Sequence, residues 1–501
     1  MRMPAAYFCL LGMVLAVPLF VPQTAQAQNL SLSSQRTSVG GYLRVMARPE
    51  LQGGTGKLGH WNLYGRLLNE GPWTAVETRF RLLDGGPVWS NLHLRLEGGS
   101  INGADASNGF LSAFFMSRAF IDTGGLLTDK GVWRLGSLIW DNGDLGLYDM
   151  RPANLFNQTV GASWRYEGDN WLVLMGLGDS GYGLKGSAYA PVITGGSMLG
   201  YTDHRHFRIS VGAELRYENA SPNNPNAPFN SEGIEMEPYL RGEVMEDHLF
   251  ENPTQEGQEL DISATDAQSH AWVLQAGFGG FGPLRWNNLF AHLERAHPTH
   301  MTTETFNGET YRLYTTGLTD QRHELMVGNE MILTLWPGRL DLIWAALYID
   351  RWDEDNALVP SDWNSQSGST VVRAQAFLTR TFHALFETSY AIEWSKNGNR
   401  YRNHADSIFE NTAGQPDNRG LEMGDSDERR TLQFKLGPVF QPAGVGIFSR
   451  PALRLIYGAQ LSTENTAWGN VYQVQDDENE LFGTVESHFH QLISFEAEAW
   501  F

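Results

Sequence analysis

The chain ends in ISFEAEAWF, residues 493–501. Side chains alternate across an extended strand. Ile493, Phe495, Ala497, Ala499 and Phe501 therefore share one face, and Ser494, Glu496, Glu498 and Trp500 share the other. The same period of two runs through HFRISVGAELRYE, residues 206–218, where Phe207, Ile209, Val211, Ala213, Leu215 and Tyr217 oppose Arg208, Ser210, Glu214, Arg216 and Glu218. LHLRLE at 92–97 and VETRFRL at 76–82 repeat it. Helical periodicity is scarce, so the chain reads as all-β.

About eighteen segments carry the pattern. They are 37–48, 57–68, 74–84, 90–98, 130–140, 159–168, 170–178, 206–218 and 233–244, then 269–280, 283–295, 322–336, 338–352, 368–381, 383–396, 429–441, 449–462 and 486–501. Each is long enough to cross a bilayer at a tilt. Some connections are short, as at Leu83–Pro87 and Pro337-Gly338; others, at 99–129, 179–205, 245–268, 296–321, 397–428 and 463–485, are long and polar. A soluble sandwich alternates in the same way. Here, however, the apolar face is rich in aromatics near strand ends, as an interfacial girdle requires. A lipid-exposed strand needs every backbone group paired, which demands closure. The predicted fold is an all-β, transmembrane antiparallel β-barrel of about 18 strands, with long loops on one rim and short turns on the other. The terminal aromatic after alternating residues also resembles the assembly signal of bacterial outer-membrane barrels.

Residues 1–27 read as a secretory signal, with Arg2 at its start, an apolar run from Tyr7 to Val21 and Ala25-Gln26-Ala27 as the cleavage pattern. Residues 28–501 are expected to form one barrel domain. The single cysteine, Cys9, lies in the signal, so no disulfide framework is expected. After residue 27 no apolar run is long enough for a membrane helix. The net charge of −21 argues against a nucleic-acid partner. Outer-membrane lipid of a Gram-negative bacterium is the expected surrounding.

Several motifs are weaker than they look. GLGDSG at 176–181 and GFGGFG at 277–282 resemble a phosphate cradle but open no helix, and read as glycines at strand ends. His292, His297 and His300 lie close in sequence, and acidic runs occur at 425–428 and 476–480; both read as solvated loops, so no metal or cofactor is expected. No G-x-S-x-G elbow is present, and no enzymatic activity is expected.

The inward parity carries the functional signal. On VGGYLRVMA, Val39, Gly41, Leu43 and Val45 take the lipid side, which turns Tyr42 and Arg44 inward. On WNLYGRLL, Leu63 and Leu67 take it, which turns Tyr64 and Arg66 inward. Trp500 points inward on the last strand. The first, second and last strands are neighbours in a closed barrel, so these aromatics would form a stripe along the pore.

These segments resemble the maltoporin-like family of outer-membrane sugar porins. GYLR at 41–44 is similar to the family's first strand, where the tyrosine begins an aromatic slide and the arginine belongs to a polar track. KLGHWNLYGRL at 57–67 is similar to the second, with Tyr64 on the slide and Arg66 where an acid is usual. IFSRPALRL at 447–455 resembles the C-terminal segment, with Phe448 in place of a slide tryptophan, and Trp500 matches a further slide position. The resemblance makes Phe110 the aromatic lent to a neighbouring subunit, Arg118 a track arginine and Asp149, in GDLGLYDM at 143–150, a track carboxylate. The loop after Asp149 is shorter than the family's and lacks its tyrosine; Arg151 lies nearby instead. Another slide position falls on Pro283, beside Phe281 and Trp286. The resemblance implies a homotrimer and facilitated diffusion of an oligosaccharide such as maltodextrin. The residues alone also suit a non-specific diffusion porin for small hydrophilic solutes.

Overall fold

The computed structural model describes residues 32–33, 36–48, 58–59, 61–84, 86–99, 113–126, 128–180, 192–203, 206–218, 267–296, 301–306, 309–314, 322–353, 365–395, 428–463 and 489–501. Among these, eighteen strands wind into one antiparallel sheet. They are β1 Thr37–Ala47, β2 Trp73–Leu83, β3 Trp89–Gly99, β4 Ala113–Gly124, β5 Gly131–Ser137, β6 Val160–Glu167, β7 Trp171–Asp179, β8 Val192–Asp203 and β9 Phe207–Glu218. The circle continues with β10 Ala267–Phe281, β11 Leu284–Ala296, β12 Arg322–Trp336, β13 Leu340–Asp353, β14 Ser365–Phe377, β15 Phe382–Ser395, β16 Glu428–Phe440, β17 Ala452–Ser462 and β18 Phe489–Trp500. Each strand pairs with the next, and β1 pairs with β18 from Tyr42 opposite Trp500 to Ala47 opposite Phe495. Phe501 completes the seam through reciprocal backbone bonds with Gly41, 2.7 and 3.0 Å long. The two-residue strand Leu32–Ser33 extends the sheet beside the start of β1, and Met301–Phe306 and Glu309–Tyr314 form a separate hairpin.

Closure gives each of the eighteen strands a neighbour on both sides, as a hydrocarbon solvent demands. The outward parity is apolar and open: Leu135, Leu177, Ile193, Leu215, Trp272 and Phe495 are all exposed. Such a surface is unfavourable in water and suits lipid. The chain is a membrane-spanning barrel of the outer-membrane type. Short turns such as 168–170, 282–283 and 337–339 form one rim, which also carries the sheet's two ends.

The strand count matches the sequence expectation although the assignments differ. Span 57–68 is not a strand. It holds a helical turn, Trp61–Tyr64, that ends at Gly65 in the left-handed region (φ 79°). The apolar pair Leu63 and Leu67 has a spacing of four, which fits a strand and a helical turn alike. Span 233–244 lies outside the described residues, and β9 pairs directly with β10. Conversely, β4 and β8 fall within intervals expected to be loops. In β4 a register shift opposite Arg95 and Leu96 breaks the alternation. β8, VITGGSMLGYTD, is glycine-rich and a poor strand former by propensity.

The lumen is not empty. The β5–β6 connection, 138–159, folds inward and buries Leu145, Leu147, Tyr148, Leu155 and Phe156 against the inner wall. On β13 the inward parity is therefore apolar too: Ile343, Ala345, Leu347 and Ile349 are buried under that loop. Glycines make room for it. A Cβ on Gly176 or Gly196 would come within 2.7 or 3.0 Å of the Phe156 ring, which accounts for one glycine of GLGDSG. The described part of the β1–β2 connection, 58–59 and 61–72, also turns in, with Leu58, Leu67 and Leu68 packed against Leu385, Val439, Ile456 and Leu492.

Candidate functional site

Two buried carboxylates on the wall hold the β5–β6 loop. Glu330 accepts from Leu147 N at 2.8 Å, and Glu214 accepts from Phe156 N. The Tyr148 hydroxyl bonds Ser369 Oγ at 2.8 Å. The two inward loops are joined by Arg66 N donating to Leu147 O at 2.7 Å. What they leave open is a cavity of about 640 Å³ between the loop and the wall of β1, β2, β3 and β18.

Tyr42, Trp73 and Trp500 bring aromatic surface to this cavity; Arg66, Arg95, Glu97, Asp144, Asp149 and Arg151 bring charge. Trp500 is 48% exposed on the inward parity, directly across the seam from Tyr42. The Tyr42 hydroxyl donates to Glu498 Oε1 at 3.0 Å and accepts from Arg66 Nη2 at 3.0 Å. Arg66 also meets Glu70 at 3.1 Å, Glu498 at 3.5 Å and Asp149 at 3.9 Å. Burial opposes the Arg66 charge, but Asp149 and Glu498 outweigh it and raise its pKa above the ordinary arginine value. On the facing wall, Arg95 bonds Glu77 at 2.7 Å and Glu97 at 3.0 Å, and the Trp73 indole donates to Glu97 at 3.2 Å. Asp149 sits at the loop tip in the left-handed region (φ 51°).

The sequence-predicted residues divide. Tyr42, Arg66, Asp149 and Trp500 meet at this cavity. Arg118 faces the lumen beside a smaller cavity and pairs with Asp141. Four expectations are corrected. Arg44 is buried beneath the β1–β2 loop, pairing with Glu70 and donating to Gly71 O at 2.9 Å, so it cannot meet a solute. Tyr64 lies on the helical turn, fully buried, its hydroxyl donating to Glu393 at 2.9 Å. Arg66 reaches the cavity from the inward loop and not from a second strand. Phe448 packs against the inward loop near Gly146 and flanks the apolar cluster. The expected four-member aromatic ribbon is thus broken. Glu496 and Glu498 are also buried, held by Arg48 at 2.8 Å and by Arg450 and Arg454 at 2.7 Å each. Phe110, and His297 and His300 with the acidic runs 425–427 and 476–480, lie outside the described residues. Among the described residues, no group of three or more His, Cys, Asp or Glu is placed to hold a metal.

The sequence pattern did not single out Trp73, Glu77, Arg95, Glu97 or Asp144. Glu77, Arg95 and Glu97 do stand on the charged faces of VETRFRL and LHLRLE, and that parity was the available signal.

No protein-family model and no curated protein sequence matches the chain. Solved structures are similar in architecture. Acinetobacter baumannii OccAB1 is 9% identical, covering 96% of this chain and 99% of its own, at a TM-score of 0.43. The outer membrane channel DcaP of Acinetobacter baumannii is 10% identical over 94% of this chain and 99% of its own, at 0.39. The outer membrane protein OprD from Pseudomonas aeruginosa is 8% identical over 95% and 96%, also at 0.39. The maltoporin resemblance has no family model behind it.

Proposed function

We propose that this barrel is a passive outer-membrane channel for carbohydrates, with maltodextrin-like oligosaccharides as the first class to test. The supporting observation is the meeting of Tyr42, Trp73 and Trp500 with Arg66, Arg95, Glu97, Asp149 and Arg151 around one water-open cavity. A pyranose has an apolar C–H face and a rim of hydroxyls. Exposed rings suit the face; carboxylates and guanidinium groups suit the rim. A neutral solute needs both signs of charge, and both are present. Its binding must be weak enough to let the solute leave. Assembly as a homotrimer belongs to the same proposal.

Burial of Tyr64 and the packing of Phe448 against the inward loop favour a second reading, a general diffusion porin in which the remaining aromatics are incidental. Single-channel current in a planar bilayer, titrated with neutral oligosaccharides, separates the two. Saturable block is expected for a sugar channel. Undiminished current at high millimolar sugar would leave the general porin.

A further inference from the structure

Among the described residues, three lumenal cavities have linings that overlap in one order. The outer one, about 390 Å³, is bounded by Glu214, Arg216, Ser269, His292 and Glu324. These lie at the long-loop ends of β9–β12. The middle one is the aromatic cavity already described. The inner one, about 310 Å³, is bounded by Ser38, Arg79, His93, Arg118 and Phe120, and reaches the start of β1 at the short-turn side. Outer and middle cavities share Asp149, Arg151 and Asn154. Middle and inner cavities share Gly40, Glu77, Arg95 and Phe501. Outer and inner share none.

A straight descent from the outer cavity is closed. Below it the loop packs Leu155 and Phe156 onto Leu174, Met198, Val273 and Phe290, all buried. Among the described residues, the lining shared with the middle cavity leads a solute from the outer cavity sideways, past the loop tip. Among the described residues shared by the two cavities there, Arg151 is the one cationic side chain and Asp149 the one anionic. The Arg151 side chain is 39% exposed, and its ion-pair partner Asp141 is 3.4 Å away and shared with Arg118. Its charge therefore faces the passage with loose compensation.

We infer that the three cavities form one conduit in series, bent around the loop tip, and that Arg151 is the residue that sets its charge selectivity. This rests on the channel reading but not on the identity of the solute. A series path has a sharp consequence: an obstruction in any chamber stops the whole current. Parallel routes would leave a large share.

The chain has one cysteine, Cys9. In a Cys9→Ser background, Ser269→Cys probes the outer chamber and Arg79→Cys the inner one. Each variant is recorded in a planar bilayer before and after a bulky uncharged thiol reagent, with labelling verified by mass. The unlabelled current of the same variant reports folding. Both labelled channels should lose current by about fivefold or more. A labelled Ser269→Cys channel that keeps over half its current would overturn the series path. Arg151→Glu should move the reversal potential in a KCl gradient towards cation preference at 0.1 M, and less at 1 M, where the screening length shrinks from about 10 Å to about 3 Å. An unchanged reversal potential at 0.1 M would remove Arg151 from the role. If both results hold while neutral sugars fail to block, the carbohydrate reading falls and the conduit stands.

Discussion

The two halves of the lumen use the same strand periodicity for opposite ends. Along much of β1–β3 the inward parity faces the open cavities, where it carries Tyr42, Glu77, Arg79, Arg95 and Glu97, although Arg44 at the far end of β1 is covered. Along β13–β16 it meets the inward loops. There it carries Ile343, Leu347 and Val371 under the β5–β6 loop, and the buried ions Arg373, Glu387 and Lys435 nearby. A polar inner wall therefore marks an open passage only where no other segment covers it. Glu387 and Glu77 are both inward glutamates. The first is fully buried between Arg373 at 2.6 Å and Lys435 at 2.9 Å; the second is exposed at the cavity wall and pairs directly with Arg95 at 2.7 Å.

Substitutions in the filled half should act on stability, and those in the open half on permeation. Glu387→Ala leaves two buried cations without their carboxylate, and a loss of about 3–5 kcal/mol is expected in urea unfolding. An unchanged midpoint would mean that this half is wetter than its packing implies. Leu147→Ala removes a fully buried side chain by which the loop packs against the wall. It should cost about 2–5 kcal/mol and raise single-channel conductance as the inward loop loosens. Trp500→Ala deletes a half-exposed ring, so the unfolding midpoint should hardly move. Half-block by an oligosaccharide should instead need about tenfold more sugar, the equivalent of about 1.4 kcal/mol. A large stability loss there would place Trp500 with the filled half.

The smallest expected effect is one of pH. Asp144 lines the middle cavity, and burial, only partly offset by Arg151, pushes its carboxyl up to about 6. The folded chain then takes this proton before the unfolded chain does, so any stabilisation from this group grows as pH falls below about 6 and is absent at neutral pH. Lowering pH from 7 to 5 removes one negative charge from the passage, and cation preference should fall. Asp144→Asn should flatten that part of the profile; an identical pH profile in the variant would rule Asp144 out.

The contrast between halves also explains which expectations failed. Alternation at HFRISVGAELRYE and ISFEAEAWF identified their strands, because one lipid face imposes a strict period of two. In WNLYGRLL the same surface pattern belongs to a buried turn, since a spacing of four serves both geometries. β8 was hidden because it is glycine-rich, and one of its glycines, Gly196, answers the Phe156 ring, a partner some forty residues away in sequence. Arg44 and Tyr64 have the right residue types for a sugar track, but a loop covers one and a short helix carries the other.

The sequence by itself determined the all-β class, the lipid-facing parity and the joining of the last strand to the first, because each follows from local alternation and from the need to pair every backbone group in hydrocarbon. Only the tertiary structure decided which inward residues meet a solute. That depends on where segments 61–72 and 138–159 fold back, through non-local packing and buried ion pairs that no period in the chain records.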